Sequence, residues 1–273
     1  VAVHIIAPAI AAFHGSDRGE GLPIPAPVTP APQSLVAGQI GGVIASPGLA
    51  IGPAARLRQA AIAVTRAGKG VAEERNALEA ARATVHERIA ARADAADANI
   101  AAVMHAHLAL LSDPELIAGA DTRIAAGNSA GFAWRGAVHD QIAALRATDN
   151  AHLIERIDDL VDIERQLLGV LTGAPGEADA IPPGAILVAD DLFPSQLVTL
   201  AARNLAGICL VRGGPTSHVA ILCAGMGLPA RVAMGDALDA VGDGTTLLLD
   251  AEAGHVTPNP SATDTEAFAA RIG

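Results

Sequence analysis

VRGGPTSHVAILCAGMGLPA, residues Val211–Ala230, is the stretch on which the reading of this chain turns. The apolar run Ile208–Val211 that leads into it has the look of a buried strand, and it stops at Arg212. Gly213 and Gly214 follow, then Pro215, Thr216, Ser217 and His218. From Val219 apolar residues return at helical spacing, with Ile221, Leu222 and Met226, until Gly227-Leu228-Pro229 closes the pattern. The segment therefore reads as strand, glycine loop and helix, with one imidazole at the junction of loop and helix.

That junction suits an anion. The first N–H groups of a helix lack intrahelical partners, and the helix dipole adds partial positive charge there. A phosphoryl group on His218 would meet those donors. Gly213 and Gly214 allow close backbone approach, while Thr216 or Ser217 can cap the helix, an interaction worth about 1 kcal/mol. The same field disfavours an imidazolium, so His218 is expected neutral and nucleophilic near pH 7. A histidine beside a glycine loop is also a common structural turn residue, and both readings stand at this level. The loop has neither the G-x-G-x-x-G nor the G-x-x-x-x-G-K-[ST] spacing, which argues against a nucleotide site.

Composition narrows the partners. The chain has 273 residues, 51% of them hydrophobic, 2% aromatic, with no Tyr and a formal charge of −11. So few aromatics disfavour stacking on nucleic-acid bases, and the acidity disfavours nucleic acid and anionic membrane while favouring a basic protein partner. Cys209 and Cys223 lie in apolar runs and read as reduced core residues. His105 and His107 diverge on a helix, so no metal site is expected there. No apolar segment is long enough to span a bilayer, and a cytoplasmic location is expected. The apolar start, Val1–Ala12, reads as the end of an upstream segment.

Along the chain, the prolines of Leu22–Pro32 mark an extended linker, taken to cover residues 1–38. Strand signals around Val43-Ile44 and from Ala50 flank the turn Ser46-Pro47-Gly48. Residues 71–171 are helical by periodicity. Leu78, Val85 and Ile89 mark one face, and Ile100, Val103, Met104, His107 and Leu111 another, on which His107 reads as a partly buried packing residue. Asp113-Pro114-Glu115 is a helix start, Gly127 a stop, Ser129 the next cap, and Asp149 the opening of a long last helix. Short connections predict antiparallel neighbours, as a bundle or a pair of hairpins. Strand–helix alternation then returns, so an α/β domain of residues 39–70 and 172–260 is expected, with the helical domain inserted and 261–273 beginning a linker.

With these motifs together, the chain resembles enzyme I of the bacterial phosphoenolpyruvate:sugar phosphotransferase system, in its N-terminal half. GGPTSH is similar to the family's phosphohistidine signature GG-x-TSH, VIASPGLAIGPA to its first strands, and AHLALLSDPEL and ERIDDLVDIERQLL to its helical insert. DLFPSQL resembles its DLTPS segment, and the likeness runs from about Gly41 to Pro260. The resemblance implies an α/β swivelling phosphohistidine domain with an inserted all-α helical-hairpin domain. His218 would carry the phosphoryl group on Nε2, supported by Gly213, Gly214, Thr216 and Ser217. The helical domain would dock the basic carrier protein HPr, with Asp113 and Glu115 as candidate contacts.

Two positions depart from the family pattern. Phe193 stands where DLTPS has Thr, and Pro215 where an Arg commonly precedes TSH, removing a polar neighbour and a phosphate-pairing charge. The family's phosphoenolpyruvate-binding C-terminal barrel, with its Mg²⁺, is also not in this sequence. The expectation is therefore phosphate exchange with HPr only, no cofactor in this segment, and a parent similar to the fused multiphosphoryl transfer proteins. Alternatives are the phosphohistidine domain of a pyruvate phosphate dikinase or phosphoenolpyruvate synthase, or a regulatory module that binds HPr without exchange.

Overall fold

The computed structural model describes residues 38–59, 61–96, 98–148, 156–174 and 181–272. The proline-rich stretch and the expected helix start at Asp149 lie outside them. The chain divides into two compact units, one containing Ala61–Ala174 and the other Pro30–Ala60 with Pro175–Gly273.

The first unit is helical: α1 Val71–Asp94, α2 Ala98–Leu111, α3 Pro114–Ala125, α4 Ala130–Arg146 and α5 Arg156–Thr172. Each contributes an apolar stripe at three- and four-residue spacing. Leu78, Ala81, Val85 and Ile89 of α1 are buried, as are Met104 and Leu111 of α2, Leu116, Ala120 and Ile124 of α3, Trp134 and Val138 of α4, and Leu160, Ile163 and Leu167 of α5. Asp113 caps α3, its Oδ1 accepting from the Glu115 N–H at 2.7 Å, and Pro114 occupies the first turn. Gly127 turns the chain at φ 87°, and the Ser129 Oγ caps α4. Gly173, at φ 63°, follows the end of α5.

Residues 61–69 pack on this unit. The Ser129 N–H donates to the Arg66 carbonyl, Ala67 bridges Asn128, and Arg135 reaches the Ile62 carbonyl at 2.7 Å. The boundary expected after residue 70 thus falls near Ala61, because this strand-like segment spends its hydrogen bonds on the turn before α4. Glu74 fixes the arrangement. One oxygen accepts from the Lys69 N–H at 2.8 Å, the other from the Ala130 N–H at 2.7 Å, in a buried position.

His107 departs from its expected role. It is fully buried, with Nε2 3.2 Å from Asp159 Oδ1 and Nδ1 3.9 Å from Asp162 Oδ2, and both carboxylates are also buried. It is a polar tie between α2 and α5, not a partly exposed filler. Arg156 also pairs with Asp159, and Gln166 donates to Asp162, so the carboxylates are shared among several donors.

The second unit is a sheet with helices. Its strands are β1 Ile40–Gly41, β2 Val43–Ser46, β3 Leu49–Arg56, β4 Ile186–Ala189, β5 Gly207–Leu210, β6 Ala230–Val232, β7 Thr246–Asp250 and β8 His255–Pro258. Helix α6, Pro194–Ala201, follows β4; α7, His218–Gly225, follows β5; α8, Ala262–Ile272, follows β8. The sheet order is β1-β8-β7-β3-β4-β5-β6-β2. Strand β3 belongs to two ladders. Residues 49–53 pair antiparallel with β7, and Ala54–Arg56 run parallel to β4. Strands β4, β5 and β6 continue the parallel part. β4 and β5 are buried along their whole length, so they read as continuous apolar runs without alternation. At Gly52 a Cβ would collide with the Gly184 carbonyl, which explains a glycine inside a long strand.

Arg231 on β6 is buried, and its Nη2 donates to the carbonyls of Gly42 and Gly254, joining β6 to two turns. Burial pulls its guanidinium below the usual arginine range, with Cys209 and Asp250 opposing. Both cysteines are free, and burial pushes their thiols up to about 12, which leaves them unreactive. Residues 261–273, expected as a linker, contain α8. Phe268 is buried, and Arg271 Nη1 lies 2.7 Å from the Asp250 carboxylate. An apolar residue and a cation placed three apart dock this helix. Among the described residues, no single helix is long and apolar enough to cross a membrane.

Two outcomes are expected. Glu74→Ala strands two backbone donors and should lower the helical unit's stability by about 2–4 kcal/mol in denaturant titration, with Glu74→Gln losing less. Burial alone would raise the Asp250 carboxyl, but the Ala253 N–H and Arg271 hold it below the ordinary carboxylate range. Its stabilising contribution is therefore present above about pH 4 and is lost as pH falls through the depressed folded value. Acid titration of Asp250→Asn should show a shallower stability loss below pH 4 than the parent.

Candidate functional site

The loop after β5 is held from both sides before it turns. The Val211 and Arg212 N–H groups donate to the Ala189 and Asp190 carbonyls at 3.0 and 2.9 Å, tying it to the end of β4. From the β6 side, Ala233, Met234 and Gly235 donate to Arg212, Leu210 and Val211. Ala233 and Gly235 have positive φ, 52° and 68°, which bends the chain after β6 to reach the loop. Sequence reading missed this clamp, although Gly235 before an acidic turn was a signal for it.

Gly213 turns the chain at φ 94°, where an L side chain is strained. Gly214 differs. A Cβ there would meet nothing within 4 Å, and its φ is not in the left-handed region. Of the two glycines expected to be needed for approach, only Gly213 is demanded by backbone geometry, and Gly214 keeps open space above the loop. Pro215 and Thr216 are exposed in the turn. The cap, open between two hydroxyls, belongs to Ser217. Its Oγ accepts from the Ala220 N–H at 3.3 Å and its carbonyl from the Ile221 N–H at 3.0 Å.

His218 is the first residue of α7 and is half-buried. Val219, Ala220, Leu222 and Cys223 behind it are buried, so the helix is anchored by its inner face. Gly227, at φ 64°, ends it, and the Leu228 N–H returns to the Cys223 carbonyl. His218 thus stands at a helix start, on a backbone fixed by neighbouring strands.

Phe193 is the N-cap of α6 and supplies no side-chain acceptor there. Its own N–H donates to Gln196 Oε1 at 3.0 Å. Since β4 and β5 are parallel, α6 and α7 begin at the same end of the sheet, and the two helices pack together. Asp113 and Glu115 lie in the other unit. Asp113 is buried and spent on capping, while Glu115 is half-buried. No group of three or more potential metal-ligating side chains is found among the described residues.

Comparison with known proteins gives a consistent picture. The family "PEP-utilising enzyme, N-terminal" matches residues 41–156, and "PEP-utilising enzyme, mobile domain" matches residues 181–254. The chain is 36% identical over 238 residues to a multiphosphoryl transfer protein of Xanthomonas campestris, covering 85% of this chain and 28% of that one. It is 35% identical over 171 residues to a phosphoenolpyruvate-protein phosphotransferase of Haloferax volcanii, covering 62% of this chain and 30% of that protein. Among solved structures, an enzyme I solution structure superimposes with a TM-score of 0.68 at 27% identity, covering 85% of this chain and 98% of that one. The N-terminal domain of a nitrogen-type enzyme I gives 0.63 at 25% identity, covering 85% and 99%. The chain spans 20–30% of the length of the first three curated relatives.

Gly213→Ala should destabilise the α/β unit by about 1 kcal/mol or more, and Gly214→Ala should be close to neutral in the same thermal melt. Ser217→Ala should cost about 1 kcal/mol through the lost cap.

Proposed function

Because this chain belongs to the PEP-utilising enzymes, we propose that it is the phosphohistidine-bearing part of a phosphoenolpyruvate-protein phosphotransferase, with His218 as the residue that carries phosphate. The observation that carries this reading is the placement of His218 at the first position of α7, after a glycine turn and a serine cap. A phosphoryl group carried there on Nε2 has helix N–H groups near the developing charge.

In the proposed reaction a histidine N–P bond on the carrier HPr breaks as the N–P bond on His218 Nε2 forms. The lone pair of His218 Nε2 attacks in line as the carrier's N–P bond breaks. The proton on the other ring nitrogen of His218 is released and the departing carrier imidazole takes one up, so both rings end neutral, and the reverse step restores phospho-HPr. Such transfer depends on positioning and on charge stabilisation more than on covalent machinery. Exchange between two phosphoramidates is close to balanced, so either direction is available, and each 1.4 kcal/mol shifts the ratio about tenfold. The α/β unit is the swivelling domain in this reading, and the helical unit is the HPr-docking domain. With Asp113 spent on its cap, Glu115 is the more available of the two expected contacts. Phosphoenolpyruvate as first donor, and Mg²⁺ to assist it, belong to the parent's barrel in the same reading.

Phe193 supports a second reading, a module that binds HPr without exchange. The N-cap of α6, where the family pattern has a hydroxyl, has no side-chain acceptor. Incubation with phospho-HPr separates the two. Exchange predicts acid-labile, base-stable label on the chain and none on His218→Ala. Calorimetric binding of HPr with no label would establish the regulatory module, and equal labelling of His218→Ala would remove His218 from the role.

A further inference from the structure

A cleft of about 640 Å³ opens in the α/β unit, lined by Arg56 at the end of β3 and residues 57–59 after it, Asp190 and Asp191 after β4, Arg212 after β5, and Asp239. Strands β3, β4 and β5 are parallel, so this is the crevice outside the carboxyl ends of a parallel sheet, where such sheets hold their ligands. His218 is not among the lining residues, although α7 begins at the same end.

Arg56 is committed. It pairs with Asp239 at 3.3 Å and Asp190 at 3.8 Å, and its Nη2 donates to the Leu238 carbonyl. Asp191 Oδ1 accepts from the Leu192 N–H, and the Gln59 amide donates to the Asp191 carbonyl. Asp190 and Asp239 are thereby engaged with Arg56. Arg58 and Arg212 are exposed, and neither guanidinium has a hydrogen-bonding or ionic partner among the described residues. Two planar N–H forks, just past the ends of different strands, thus line one cleft, beside the exposed carboxylates of Asp190 and Asp239 and the half-buried Asp191.

Forks of this geometry match phosphate oxygens in bidentate fashion. We propose that the cleft is a binding site for a phosphate-class oxyanion, separate from His218 and held by Arg58 and Arg212. The proposal does not depend on whether His218 becomes phosphorylated. It gives Arg212 a role that the glycine-loop motif does not assign.

The test is titration of the isotopically labelled chain with inorganic phosphate, and in a second series with phosphoenolpyruvate, followed by amide shifts. Saturable shifts at residues 58, 59, 190 and 212 are expected. Arg212→Gln and Arg58→Gln should each weaken binding roughly tenfold with an unchanged spectrum elsewhere, and Arg212→Lys should restore part of it. Saturation by both ligands at similar concentration identifies a site for free phosphate. Much tighter saturation by phosphoenolpyruvate identifies one for a phosphorylated small molecule. His218→Ala should bind unchanged, so failure of phosphate exchange and failure of this site are read separately. Non-saturating shifts, shifts centred on His218, or equal binding by Arg58→Gln/Arg212→Gln would overturn the proposal.

Discussion

The register of β5 between β4 and β6 is the constraint from which the rest of the α/β unit follows. Ile208 faces Leu187 on one side and Ala230 on the other, and Cys209 faces Val188 and Arg231. All four β5 residues are buried, and a one-residue slip would exchange the faces they present. This register decides where the chain emerges at Arg212, and hence where Gly213 turns and where α7 starts. The clamp from residues 233–235 repeats the same instruction from the next strand. His218 inherits a fixed position from these backbone contacts.

Much of this was legible from residue types. Ile208–Val211 announced a buried strand, Gly227 the helix end, and Asp113, Pro114 and Ser129 the helix starts, because each device is local and has a backbone reason. Strand β3 was visible only in part. Its two-sided pairing depends on β7, almost 200 residues later, and no local pattern carries that information. The choice between Thr216 and Ser217 as cap also needed coordinates, since either hydroxyl satisfies the spacing. The two units could be separated by composition, but the boundary slid by about ten residues because segment 61–69 takes its hydrogen bonds from the turn before α4.

What escaped sequence reading was mainly buried charge. Glu74, Asp159, Asp162, Arg231 and Asp250 look like surface residues in a list, and all are buried, as is His107, which was read as only partly so. Each joins elements distant in sequence: Glu74 two helix starts, His107 two helices, Arg231 two turns, and Asp250 the last helix. Such groups are costly to bury alone and strongly destabilising to break once partnered, so they fix particular arrangements more than they add net stability. Helix α8, read as the beginning of a linker, is docked by one buried phenylalanine and one ion pair.

The chain contains nine histidines, so the central claim rests on which of them takes phosphate. The most direct measurement is localisation of the phosphoryl group by mass spectrometry under alkaline conditions after incubation with phospho-HPr, with phosphorus NMR to identify the nitrogen. The account predicts a single phosphoramidate, on His218 Nε2. Phosphate on any other histidine, or a chain that binds the carrier and remains unphosphorylated, would contradict it.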